Sequence, residues 1–332
     1  MITLLYPVNS YSEQVFPARA FLIAGHFPWQ NAVNSSGMNH VCINRLATVL
    51  LIFFCLCTMS GQALAEPGEL IASGDAAWAA RSQGHAGSRA ADAPIQEAID
   101  AYAAALEAEP ENLEARWKLL RAFHFKGEYV LHDRQQRHDL FARGKDIAEA
   151  GRLQIEREYS LPRNLYKMKP ADVFSAVGDN PAVAEWCFWS SANWGLWAQN
   201  SGRLASLFAG VVSKIHQFAE VMVLMDASVE EGGSHRLRGR LHFRVPKIPF
   251  FTGWVDRDLA ISEIRLSLQI APDSLLSQLY LAEALLKFRD SDNVEAIGLL
   301  RQVIASEVGP RRLVEDLRTQ EIARELLTSL GY

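Results

Sequence analysis

The sequence predicts an all-α protein, a single-domain solenoid of degenerate helix pairs, and three observations carry that expectation. One spacing recurs: a small residue, a large apolar one four on, a small one three further, then a proline. It reads Ala98, Tyr102, Ala105, Pro110, then Ala260, Ile264, Ser267, Pro272, and more weakly Ala296, Leu300, Val303 with Gly309-Pro310 behind. Trp117 and Leu120 supply the aromatic-x2-leucine pattern of the first helix in such a pair, just after the breaker Pro110-Glu111-Asn112. No run alternates apolar and polar residues convincingly enough to be a strand. Helix pairs that each expose an apolar face must stack to bury it, so the pieces form one body.

These patterns are those of tetratricopeptide-type repeats, which bind far more often than they catalyse. Residues 69–82 read as a first helix with Trp78 toward the core, followed by a small-residue loop and a signature helix over 95–108. Proline stops that helix and Asn112 is placed to cap the next, 113–126. Arg121 stands where the repeat wants a small residue. A long charged helix over 134–158 puts Leu140, Ile147, Ala148 and Leu153 roughly on one face. Pro162, Pro170 and Pro181 then break the chain. Helices are expected over 182–199, 203–225, 234–244, 256–270, 274–289 and 293–305, with an amphipathic cap at 312–329. Gly239 falls where two helices of a pair approach closely.

The start of the chain reads as a targeting segment. Residues 46–59 (LATVLLIFFCLCTM) follow Arg45 and lead to Ala63-Leu64-Ala65, the pattern of a cleaved secretory signal. The apolar core is short of the ~20 residues that span a bilayer. Met38 stands where such a signal would begin, so residues 1–37 read as an over-extended, disordered start, 38–65 as the signal, and 66–332 as the solenoid domain, with cleavage after Ala65. The competing reading is a cytoplasmic tail on an uncleaved anchor. Cys42, Cys55 and Cys57 lie in the signal region and leave Cys187 alone, without an internal disulfide partner. Neither Cys55 nor Cys57 has a lipoprotein context, which predicts a soluble periplasmic protein. Hydrophobic content of 49% suits a chain that buries a core, and a net charge of −5 argues against nucleic acid as a partner.

The block 184–305 contains Trp189-Ser190-Ser191-Ala192-Asn193-Trp194-Gly195-Leu196-Trp197-Ala198, then Gly232-Gly233-Ser234-His235-Arg236 with Gly239, the loop from Pro246 to Gly253, and Leu281-Ala282-Glu283-Ala284. These stretches resemble the T-component family of TRAP transporters, the TatT-like periplasmic proteins. The resemblance spans most of residues 70–330 and is strong in that block. It implies a periplasmic all-α fold of degenerate repeats, a homo-trimer, a solute-binding subunit of the transporter as partner, and a small organic solute that is held or passed unchanged. Family members are often lipoproteins; no lipobox is visible here.

Three clusters are candidates for the site. Trp186, Trp189, Asn193 and Trp197 are spaced three or four apart and share a helix face, with Trp194 off it. They read either as a ligand cavity oriented by Asn193 or as core. His235, Arg236 and Arg240 head a basic helix in which the two arginines, one turn apart, suit a carboxylate. The bland alternative is a solvated face paired with Glu230, Glu231 or Asp256, with Ser234 capping the helix. Pro249, Phe250, Phe251 and Trp254 form a proline-aromatic loop that either docks a partner or closes a cavity, or else tucks beneath its own helix pair. His132 and His138 lack a third metal ligand nearby, and no P-loop or nucleophile elbow is present, so the chain is expected to be no enzyme and to carry no metal or cofactor. Cys187, between Trp186 and Phe188, reads as a core thiol. The expected function is that of a TRAP accessory binding a hydrophobic carboxylate; the alternative is an envelope scaffold with no small ligand, and more remotely a hydrolase.

Overall fold

A computed structural model describes residues 66–201, 210–226, 228–289 and 293–332. The chain divides into a unit Met1–Ala63 and a unit Leu64–Tyr332, and every described residue belongs to the second. The alternative starts, the signal segment and the cleavage point after Ala65 lie outside the described residues, as does the first part of the helix expected over 203–225.

Among the described residues there are twelve α-helices and no strand, only an isolated bridge between Ala86 and Arg89. The helices are α1 (Pro67–Ala79), α2 (Asp92–Ala108), α3 (Leu113–Tyr129), α4 (Arg134–Glu158), α5 (Pro170–Val177) and α6 (Pro181–Ser201). They continue with α7 (Val211–Met225), α8 (Gly233–Arg244), α9 (Arg257–Ile270), α10 (Leu275–Phe288), α11 (Asn293–Ala305) and α12 (Leu313–Ser329). None is long and apolar enough to cross a membrane. Over the described residues the fold is an all-α, solenoid-like single domain.

Local chemistry sets the boundaries. Asn112, Asp133, Asp256 and Ser274 each accept a backbone N–H of the following first turn, capping α3, α4, α9 and α10. Both α5 and α6 begin on a proline, whose missing N–H costs nothing at a first helical position. The break at 159–181 thus contains a short helix of its own as well as a 3-10 turn at Leu165–Lys167.

The recurring spacing marks the seam of the stack. Ala98, Tyr102, Ala105, Ala260, Ile264, Ser267, Ala296, Leu300 and Val303 are all fully buried. In the first pair Tyr102 lies across Gly74, where an added Cβ would fall 2.4 Å from its ring, and its hydroxyl donates to Asp75 at 2.8 Å. In the α8–α9 pair Ile264 meets Gly239 in the same way, at 2.7 Å from a would-be Cβ. A large side chain on one helix therefore requires a glycine on its partner, because only a bare backbone allows so close an approach. On α4, Leu140 and Ala148 are buried and Ile147 is partly so, but Leu153 is 48% exposed, off the apolar face that the sequence assigned to it.

The last helix does more than cap the far end. Val314 of α12 is buried in one cluster with Ile95, Tyr102, Phe123 and Leu140 of the first two pairs. Arg81, just beyond α1, is buried and holds Glu315 through Nε at 3.1 Å and Nη2 at 3.0 Å. Ser88 donates to Glu321 at 2.6 Å. The stack closes on itself, bringing its final helix against its first pairs.

Candidate functional site

The aromatic helix α6 is mostly core. Trp186 is fully buried, edge-on to Phe218 at 5.0 Å and pressed against Gly151. Asn193 is fully buried too; its amide donates to the carbonyls of Leu120 at 2.9 Å and Trp189 at 2.8 Å. It therefore ties α6 to α3, and Gly144 leaves the space that its side chain fills. Trp194 is 3% exposed beneath the Lys214 ammonium, 3.9 Å from the ring centroid. Trp197 is half-buried, with Lys145 at 4.9 Å above it. Trp189, at the edge of this core, donates its indole N–H to Glu185 at 3.2 Å and meets the His124 ring edge-on at 5.3 Å. Cys187 is buried, and burial alone pushes its thiol far above the usual range, so no thiolate forms there.

The cations of α8 are engaged inside the protein. His235 bonds Glu263 at 2.8 Å, Arg238 bridges Glu220 at 2.8 Å and Glu263 at 3.0 Å, and Arg240 pairs with Glu283 while lying 3.9 Å over Tyr280. Arg236 is buried and donates to the carbonyls of Glu230 at 2.9 Å and Glu231 at 3.2 Å and to the Ser277 hydroxyl at 3.3 Å. Glu230 and Glu231 have left-handed backbone, φ 47° and 59°, and Arg236 clamps that turn. Burial lowers its pKa to about 10. The acidic partners thus differ from the expected Glu230, Glu231 and Asp256, because neighbouring helices α7, α9 and α10 present carboxylates to this face. Ser234 does not cap α8; its hydroxyl instead donates to the carbonyl of Asp226 at 2.7 Å, and Gly232 takes the cap position with φ 77°.

The proline-aromatic loop divides in two. Trp254 is half-buried, stacked on His216 at 3.9 Å and edge-on to His242 at 5.3 Å. Pro249, Phe250 and Phe251 stand in solvent.

Residues that composition did not single out gather where α1, α3 and α6 meet. Arg121, the exception in the repeat pattern, lies over the rings of Trp78 at 4.1 Å and Trp117 at 4.9 Å, and its buried Nε has no hydrogen-bond partner. Arg81 also lies over the Trp78 ring, at 4.4 Å. Glu185 is partly exposed, yet burial raises its carboxyl to about 7; Glu230 pushes the same way and Arg121 opposes. Burial also lowers His124 to about 4, helped by Arg312 and Arg137. Burial also raises the pKa of Tyr129; Glu315 of the closing segment adds to the rise and Arg312 opposes it. The signal for this set was local: a cation at a small-residue position, and a lone carboxylate in an otherwise apolar helix start.

A surface cleft of about 360 Å³, lined by Glu231, Pro272, Ser274, Arg311, Arg312 and Asp316, touches none of the tryptophans. Fold and site together define an all-α, solenoid-like domain in which Arg121, Trp78, Trp117, Glu185 and His124 gather in one region. No protein-family model and no curated protein matches the chain.

Proposed function

We propose that this protein is a non-enzymatic accessory component of a TRAP-type uptake system, acting in the periplasm. It holds or passes an organic solute, a hydrophobic carboxylate, and docks the system's solute-binding subunit. The observation that carries the reading is Arg121: a guanidinium between two indoles, with a buried Nε that has no partner, facing a carboxyl of raised pKa. A buried donor without an acceptor costs about 1–3 kcal/mol, which a ligand oxygen would recover. The solute's apolar part would lie against Trp189 and His124, and its carboxylate would meet Arg121. Glu185 in its acid form would donate to the second carboxylate oxygen, where an ionised Glu185 would repel it. Arg236 and Arg240, the arginines that the sequence favours, would serve the fold.

Native mass spectrometry of the protein purified from its own cells tests this. The expected result is a co-purifying small organic acid that is absent from Arg121→Ala. A ligand-free wild type would contradict the reading. The solid packing of Trp186, Asn193 and Trp194 supports a second one, an envelope scaffold without small ligand, for which the same spectrum would show a bound peptide or protein.

A further inference from the structure

The tip of the loop between α8 and α9 takes no part in the cluster around Arg121. Ile248 is 46% exposed, Phe250 fully exposed and Phe251 76% exposed, the most prominent apolar group on the described surface. Such side chains in water are costly unless something covers them. The tip is preformed. The Thr252 hydroxyl donates to the carbonyl of Pro246 at 2.5 Å and accepts from the N–H of Ile248 at 2.8 Å. The N–H groups of Phe251 and Thr252 both donate to the carbonyl of Ile248, at 3.2 and 2.9 Å. Phe250 is held at φ 66°, a left-handed conformation that a phenylalanine rarely adopts. Below, the Trp254–His216 stack anchors the loop to α7, and the N–H of Asp256 donates to His242 at 3.0 Å.

The surroundings are basic in a chain of net charge −5. Arg244, Lys247 and Arg257 are exposed beside the loop. Lys287 is close enough to Arg244, Arg240 and Arg257 that they add to the lowering of its pKa by burial. The neighbouring acids are largely engaged: Asp258 pairs with Arg289, Glu283 pairs with Arg240, and Asp256 caps α9.

We propose that the Pro246–Gly253 loop docks on an anionic lipid bilayer, with Ile248, Phe250 and Phe251 entering the boundary between headgroups and acyl chains and Lys247 and Arg257 meeting lipid phosphates. Area and charge favour a bilayer over a protein. A convex tip of three apolar side chains offers far less than the ~800 Å² per partner of a stable protein interface. A bilayer needs only shallow apolar insertion plus cationic contacts to phosphates, and the loop carries both. Its aromatic residues are of the kind that settles at the headgroup level, and its fixed geometry removes most of the ordering cost.

Hydrogen–deuterium exchange of the full chain tests the proposal, read at the amides of residues 247–251. It is run with vesicles of phosphatidylcholine alone and with vesicles in which a third of the lipid is phosphatidylglycerol. Protection is expected only on the anionic vesicles and should fade as salt rises. Phe250→Ser with Phe251→Ser should weaken the lipid dependence at least about tenfold, because most of the inserted apolar area is gone. Lys247→Glu should weaken it about fivefold or more, and it leaves the apolar tip intact should the double variant disturb the loop. Equal exchange with and without anionic vesicles would overturn the proposal. So would protection that is the same on both lipids or indifferent to these substitutions.

Discussion

Helices α6 and α8 carry the two densest chemical clusters in the chain, and the structure uses them in opposite ways. Helix α6 puts its indoles and Asn193 into the core, where apolar contact and two carbonyl bonds hold them. On helix α8, His235, Arg236, Arg238 and Arg240 are each met by a carboxylate or carbonyl of a neighbouring segment. One cluster stabilises by burial and the other by pairing. The difference teaches that a conspicuous cluster is not thereby an available one. The groups left with capacity for a ligand stand singly, Arg121 on α3 and Glu185 at the start of α6.

The contrast predicts an order of effects. Trp186→Ala should be the most damaging, lowering stability by about 3–5 kcal/mol in urea unfolding, because a fully buried indole leaves a cavity beside Phe218 and Gly151. A loss under about 1 kcal/mol would mean that α6 is not core. Arg236→Ala should cost about 1–3 kcal/mol, since it removes the donor to two part-buried carbonyls in a left-handed turn. If solute affinity fell instead, with stability intact, α8 would be a binding helix after all.

Glu185→Gln should change the pH dependence of stability. The folded protein holds the Glu185 proton up to about pH 7, against 4.5 for an ordinary glutamate, so stability falls as pH rises from about 4.5 to 7. His124 works the other way: its folded pKa of about 4 lies below the usual 6.5, so its contribution rises with pH across about 4 to 6.5. Subtracting the profile of the Glu185→Gln variant from that of the wild type isolates the first slope, worth on the order of 2 kcal/mol after allowing for water contact. Parallel profiles would place Glu185 in solvent. Arg240→Ala should have the smallest effect, up to about 1 kcal/mol, as expected for a partly exposed pair with Glu283.

The fold was largely legible in the sequence because its determinants are local. Prolines at 170 and 181, the caps Asn112 and Asp256, and the small–large–small spacing act within a few residues of where they stand. Tyr102 and Ile264 sit at the seam as their spacing implied. The return of α12 to the first pairs was not legible, since Arg81 and Glu315 are 234 residues apart and nothing in either segment names the other. Nor were the true partners of α8, because Glu220, Glu263 and Glu283 reach it only once three other helices are in place. Leu153 was misplaced for a related reason: helical periodicity gives a face, and packing decides how far along the helix that face stays covered. Arg121 showed in the sequence only as a departure from the repeat pattern, and nothing local tied it to Trp78 or Glu185.

Calorimetric titration with octanoate, a simple hydrophobic carboxylate, tests the central claim that the Arg121–Glu185 region rather than α8 receives the solute. The account predicts binding by the wild type, a loss of at least about tenfold in Arg121→Ala, and little change in Arg240→Ala. Binding that survives loss of Arg121 but not of Arg240, or no binding by the wild type, would contradict it.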